Sequence, residues 1–319
     1  MDSSGHIFRV TTFGESHGVA VGGVIEGCPS GLTIDHQFIA DELARRATGK
    51  TSSESQRRES DEVEFLSGLL DGVTLGTPIA FIVRNTDARP EDYEAMKGTF
   101  RPSHADYTYQ AKYGIRDWRG GGRASARTML PYVVAGAIAK QILKPQGIEI
   151  HAEVKSIGGE TDPSRIEELL KECRFKGDTV GGIVHGSITG LPAGLGEPQD
   201  NKFQACLAKS MFTIPAVKGF EYGDGFAMAA MRGSEANDRM SINNDGTVTF
   251  LSNHSGGIQG GITNGEEVFF NVAFKPIPSL GMGARHDVCA LPRAVVIVEA
   301  MAALTTVRLS LLTRNTYLI

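Results

Sequence analysis

The feature that most restricts this chain is a pair of helical stretches that are apolar on nearly every side. The first runs from about 124 to 144 with "YVVAGAIAKQIL" at its centre, and the second is "RAVVIVEAMAALTTVRLSLL" at 293–312. A surface helix shows one apolar stripe, whereas a helix apolar all round needs cover on most of its sides. Both are read as central helices that sheets on two flanks would cover. Pro292 stands at the start of the second, a position that tolerates proline. Pro131 falls inside the first, so that helix either begins near 130 or kinks there. No run approaches the ~20 apolar residues of a membrane span, and no membrane association is expected.

Strand patterns occur at 6–13, 19–27, 62–68, 79–85, 148–154, 180–190 and 266–275. Several follow one another with no helix between them, which favours antiparallel pairing over a doubly wound parallel sheet. A further helix is expected at 35–46, where Asp35 can cap and Phe38, Ile39 and Leu43 share a face. The expected fold class is α+β, a sandwich of antiparallel sheets around central helices. With no internal repeat, low-complexity tract or linker, residues 1–319 read as a single domain.

The 319 residues, 41% hydrophobic and 22% charged, can bury a sizeable core. A net charge of −5 argues against a nucleic-acid partner, which would require a basic excess, so any anion site must be local. Cys28, Cys173, Cys206 and Cys289 are too dispersed for zinc-ligand spacing, and no metal is expected. They read as reduced thiols, and "MDSSGHIFRV" lacks the regions of a signal peptide, so a cytoplasmic location is expected.

"ARRATGKT" (44–51) has the outline of a nucleotide phosphate loop with Ala44 in the first glycine position. Such a loop joins a strand to a following helix, whose free N–H groups hold the phosphates. Here the motif follows a helical run and leads into polar "TSSESQRRESD", so a nucleotide loop is disfavoured. What remains is a local group of cations: Arg45, Arg46, Lys50, Arg57 and Arg58. Glycines cluster with Arg, Ser, Asn and His in "RGGGRASA" (119–126) and "NHSGGIQGG" (253–261), which suggests binding loops rather than plain turns.

Longer blocks narrow the reading: "FRVTTFGESHG" (8–18), "FRPSHADYTYQAKYGIRDWRGGGRASAR" (100–127), "GLPAGLGEP" (190–198), "IPAVKGFEYGDGF" (214–226), "SNHSGGIQGGITNGE" and "ARHDVCALPRAVVIVEAMAAL" (284–304). In sequence and order they resemble the chorismate synthase family over nearly the whole chain. The resemblance implies conversion of 5-enolpyruvylshikimate 3-phosphate to chorismate and phosphate, the last step of the shikimate pathway towards aromatic amino acids. That reaction is an anti-1,4-elimination without net redox change that nonetheless requires reduced FMN. The family fold is a sandwich of antiparallel sheets around central helices, assembled as a homotetramer.

Matching positions carry the implied roles. His17 and His104 match the catalytic histidines, His104 donating towards the leaving phosphate and His17 protonating the flavin near N1. Asp287 matches the aspartate that manages the proton at flavin N5. Arg45, Arg46, Arg101 and Arg119 match substrate-binding positions. Arg123, Ala124, Ser125, Pro215, Ala216, Gly260, Lys275, Pro276, Ile277, Pro278, Ser279 and Arg285 match positions that hold FMN. The residue types suit the task, since guanidinium forks fit phosphate and carboxylate and histidine titrates near working pH. Bifunctional members use a pyridine nucleotide (NADP) to reduce the flavin; no reductase domain is visible here, so an external flavin reductant is expected.

The chain also departs from the family pattern. Ser52 and Tyr132 stand where arginines are common, and Ala124 and Thr128 replace the Ser and Glu of "GRSSARE". The connector between "FKPIPSLG" and "GARHD" and the stretch before "GDTVGG" are short; either this member is compact or residues of the natural chain are missing from this sequence and the numbering has closed up over them. A homologue that binds FMN and substrate with impaired catalysis is the alternative these departures motivate.

Overall fold

The computed structural model describes residues 3–47, 59–278, 280 and 287–313. Among these, nine strands form two antiparallel sheets. The first contains β1 (Ser3–Ser4), β2 (Arg9–Phe13), β3 (Ala20–Glu26), β4 (Val63–Phe65) and β5 (Ile79–Arg84), in the order β1-β2-β3-β5-β4. The second contains β6 (Glu149–Ile157), β7 (Gly182–Thr189), β8 (Val217–Tyr222) and β9 (Val268–Phe274), in the order β8-β9-β7-β6. Alternation fixes the register: Val21 lies opposite Val83 and Val184 opposite Val272, all fully buried on the inner faces.

Six longer helices accompany them: α1 (His36–Arg46), α2 (Asp106–Tyr113), α3 (Leu130–Leu143), α4 (Pro163–Lys176), α5 (Phe203–Phe212) and α6 (Leu291–Thr313). The two central helices, α3 and α6, pack on each other, α3 against β3 of the first sheet and α6 against β6 and β7 of the second. This is the expected α+β sandwich. Proline starts both central helices within their first turn. The Pro131 question is thereby decided, since α3 begins at Leu130 and short 3₁₀ turns precede it.

By length and composition α6 could cross a bilayer, but 78% of its apolar window is buried inside the protein, as suits a core helix. Three of its buried polar residues are well partnered. Thr305 donates to Ser210 Oγ at 2.7 Å, and Arg308 donates to the carbonyls of Phe8 and Ser4. Glu299 accepts from both Arg45 and Lys140, drawing α1, α3 and α6 together. Burial disfavours the Glu299 charge, yet the hydrogen bond from Arg45 and the Lys140 charge outweigh it and hold the carboxyl below its ordinary value.

The axes of α3 and α6 meet at Gly136, where a Cβ would stand 2.6 Å from Ala300 Cα and 2.4 Å from its Cβ. That spacing admits no methyl group, and the apolar wrap of both helices depends on it. Gly136→Ala is expected to destabilise the fold by about 1–3 kcal/mol through overpacking. The check is a urea midpoint that falls with an unchanged slope; an unaltered midpoint would mean that the helices part freely.

Candidate active site

Both central helices begin at one cavity of about 580 Å³. This volume lies in the usual range for small-molecule sites. The turns before α3 supply Arg123, Ala124, Ser125 and Arg127, and the segment before α6 supplies Asp287, with Arg293 in its first turn. The β2–β3 loop adds His17, and the segment before α2 adds Arg101 and His104. Pro215, Ala216, Lys275, Ile277 and Pro278 close the side nearest the second sheet, and Arg46 enters from the end of α1. Three non-glycine residues with positive φ line it: Asp61 (50°), Ser103 (57°) and Ala216 (70°). Lys275 ties the last two, accepting no strain itself: its N–H donates to Ala216 O and its Nζ to Ser103 O at 2.7 Å.

His17 and His104 approach through a run of glycines. Gly120, at φ +58°, leaves no room for a Cβ, which would fall 2.1 Å from His17 Nδ1 and Cε1. Its neighbour Gly121 faces the other histidine, and a Cβ there would meet His104 Nε2 at 3.2 Å. "RGGGRASA" is thus a backbone spacer between two imidazoles. The His17 loop is fastened by Ser16 N–H to Gly122 O and by Asn85 Nδ2, which donates to Glu15 O and Gly18 O. The His17 ring also meets Tyr93 edge-on at 4.9 Å.

His104 is set by charge. Its Nδ1 lies 3.0 Å from Asp106 Oδ1 and 3.1 Å from Arg101 Nη2. Burial raises the Asp106 carboxyl, but side-chain and backbone hydrogen bonds from Arg101 bring it down to about 2, so it stays ionised. Burial, then the Arg101 charge, lowers the pKa of His104 itself. With Nδ1 engaged, Nε2 is the nitrogen left to serve a ligand.

The arginines of the site come already paired. Arg101 donates to Asp106 through Nε at 2.8 Å and Nη2 at 3.0 Å. Asp61 bridges two others, with Oδ2 2.5 Å from Arg46 Nη2 and Oδ1 2.7 Å from Arg127 Nη1. Arg293 pairs with Asp287. Arg123 donates to Gly14 O at 2.9 Å and Thr12 Oγ1 at 2.8 Å.

Four matched residues stand elsewhere. Arg45 turns away from the cavity into the Glu42, Glu299 and Lys140 cluster. Arg119 caps its own turn through Asp117, 2.8 Å from Nε, and does not line the cavity. Gly260 lies in a hairpin apart from it, between Gln259 and Ile262, and Pro276 lies between lining residues without lining it. Ser279, Arg285, Ser52 and the cations Lys50, Arg57 and Arg58 fall outside the described residues. Conversely, Arg127, Arg293 and Asp61 line the cavity and were not singled out from sequence. Arg127 ends the "GRASAR" block, which could have pointed to it; nothing near Asp61 in "RRESD" separates it from solvated charge.

A family model described as chorismate synthase matches residues 8–311.

The chain belongs to the chorismate synthase family.

The chorismate synthase of Porphyromonas gingivalis is 48% identical, covering 96% of this chain and 94% of its own. That of Christiangramia forsetii is 50% identical, covering 95% of each. A crystal structure of chorismate synthase matches with a TM-score of 0.80 at 31% identity, covering 97% of this chain and 93% of that one. The Porphyromonas gingivalis alignment runs over 346 residues against the 319 of this chain, so that chorismate synthase carries residues with no counterpart here.

Gly120→Ala should push the His17 imidazole aside and place an L-residue in a left-handed conformation costing roughly 1–2 kcal/mol. Turnover is expected to fall by about 100-fold through misplacement of His17. Steady-state kinetics check this, and an unchanged rate would show that the spacing of the two histidines is immaterial.

Proposed function

We propose that this chain carries out the reaction named by its family, eliminating phosphate from 5-enolpyruvylshikimate 3-phosphate to form chorismate in the synthesis of aromatic compounds. The observation that carries the reading is the convergence of two histidines and one aspartate on a single cavity ringed by guanidinium groups. The substrate bears one phosphate and two carboxylates. In the elimination the C–O bond to phosphate breaks with its electron pair, a ring C–H bond breaks 1,4 to it, and a second ring double bond forms. Overall the substrate loses phosphate and a proton, with no net oxidation.

Each residue has a task in that balance. Arg46, Arg101 and Arg127 hold the anions, and the origins of α3 and α6 add their partial positive charge. His104, steered through Nδ1 by Asp106, gives a proton from Nε2 to the departing phosphate. Asp287, held by Arg293, and His17 manage the remaining proton movements.

The cavity fits a reduced FMN. Arg123 and Lys275 offer cations, while Ala124, Ser125, Pro215 and Ala216 present small side chains that allow a flat ring close to the backbone. When bound, the reduced flavin supplies an electron-rich ring that favours departure of the phosphate. An external reductant for the flavin and a cytoplasmic location complete this reading. A homotetramer belongs to the same reading, and exposed apolar side chains around the Met240–Ile242 and Val248–Phe250 hairpin, where Ile242 is 77% and Leu251 71% exposed, offer a surface for contact with another copy.

The direct test is anaerobic incubation with dithionite-reduced FMN and the substrate, following chorismate and phosphate together. Turnover with reduced but not oxidised FMN supports the reading; a folded protein that binds FMN and substrate without turnover supports the impaired homologue instead. His104→Ala is expected to retain FMN binding and to lose about 10²–10⁴ in turnover, as for a lost general acid. The pH profiles give a second check. In the free site burial and Arg101 favour neutral His104, so kcat/KM should fall as pH rises through a pKa below the ordinary 6.5. A bound phosphate favours the imidazolium, so the corresponding fall in kcat should lie at higher pH. Coincident falls, or falls that persist in His104→Ala, would remove His104 from the proton transfer.

A further inference from the structure

We propose that Asp61 is a positioning residue that aims Arg46 and Arg127 into the cavity, and that it promotes anion binding despite contributing a negative charge. The inference rests on the reaction assigned above. Asp61 is only 6% exposed, follows the end of α1 by fifteen residues, and sits at φ 50°. Each of its oxygens takes a different guanidinium, Oδ2 that of Arg46 and Oδ1 that of Arg127. Both arginines are themselves buried, Arg46 at 5% and Arg127 at 6% exposed. Two guanidinium groups at such depth repel each other, and the carboxylate between them offsets that repulsion while giving Arg46 its fixed direction.

The bridge also decides which donors remain. Arg127 is held on further edges, Nε donating to Asn85 Oδ1 at 2.7 Å and Nη2 to Arg84 O at 3.3 Å. Arg46 is fixed through Nη2, while its Nε is buried with no hydrogen-bond partner among the described residues, on a side chain that lines the cavity. A buried N–H without a partner is costly and calls for an acceptor, a water or a ligand oxygen. Asp61 therefore orients a donor that awaits a phosphate or carboxylate. The same chain of bonds continues from Arg127 through Asn85 to the loop of His17, so the anion wall and that loop share one support. Burial opposes the charge of Asp61, but the neighbouring Arg46 and Arg127 charges hold its carboxyl below the ordinary range, and the bridge persists at neutral pH.

Asp61→Asn separates orientation from charge. Asparagine tolerates positive φ as aspartate does, but it presents an amide NH₂ to one of the two guanidiniums, donor against donor. If the site worked by net charge alone, removing a carboxylate would tighten anion binding. If Asp61 works by orientation, KM for 5-enolpyruvylshikimate 3-phosphate should rise at least about tenfold, with FMN affinity retained. Arg46→Lys keeps the charge but loses the planar fork that holds Nη2 on Asp61 and Nε towards the cavity in fixed directions, so it should show a similar rise and should be non-additive with Asp61→Asn. A KM unchanged or lowered in Asp61→Asn overturns the proposal; should that variant not fold, an unchanged KM in Arg46→Lys overturns it. Wild-type turnover, measured alongside, judges the assigned reaction separately: without it the reaction falls, and Asp61 with it.

Discussion

A cavity that receives several anions must keep cations out of water, and buried cations must be held before any ligand arrives. This structure meets that constraint with carboxylates: Asp61 between Arg46 and Arg127, Asp106 on Arg101, and Asp287 on Arg293. Each pairing trades some positive charge for a fixed direction. Electrostatic stabilisation depends on dipoles and donors that need not reorganise during the reaction, so direction is the more valuable of the two. His104 obeys the same logic, since the Asp106 that orients Arg101 also lies 3.0 Å from the imidazole.

The two central helices make this arrangement possible. Because α3 and α6 are covered by a sheet on each side, their origins can open into a partly enclosed cavity. Gly136 sets their approach at Ala300, and the Glu299 cluster of Arg45, Glu42 and Lys140 locks α1 against both. Arg45 thus serves the site at one remove: it fixes the helix whose next residue, Arg46, reaches the cavity.

Much of the fold was legible because the central helices and the long strands carry strong patterns. The seven expected strands all occur, six of them shortened at their ends and the one expected at 148–154 running on to Ile157, and Asp35 caps α1 by accepting from Phe38 N–H as its position suggested. The strand β8 was missed because Lys218 and Gly219 interrupt its alternation, at a register shift on a sheet edge. The helices α2, α4 and α5 were missed because short or mostly exposed helices leave only a weak apolar stripe. In the site, His17, His104 and Asp287 were legible through motifs. Asp61 was not, because its importance lies in two long-range partners, 15 and 66 residues away, that no local pattern records.

The most direct measurement is a crystal structure of the protein with FMN and 5-enolpyruvylshikimate 3-phosphate. The account predicts the phosphate within hydrogen-bond distance of His104 Nε2, an anionic oxygen on Arg46 Nε, and Asp61 still bridging Arg46 and Arg127. Ligand anions bound away from these groups, or an Asp61 displaced from both arginines when the substrate binds, would contradict it.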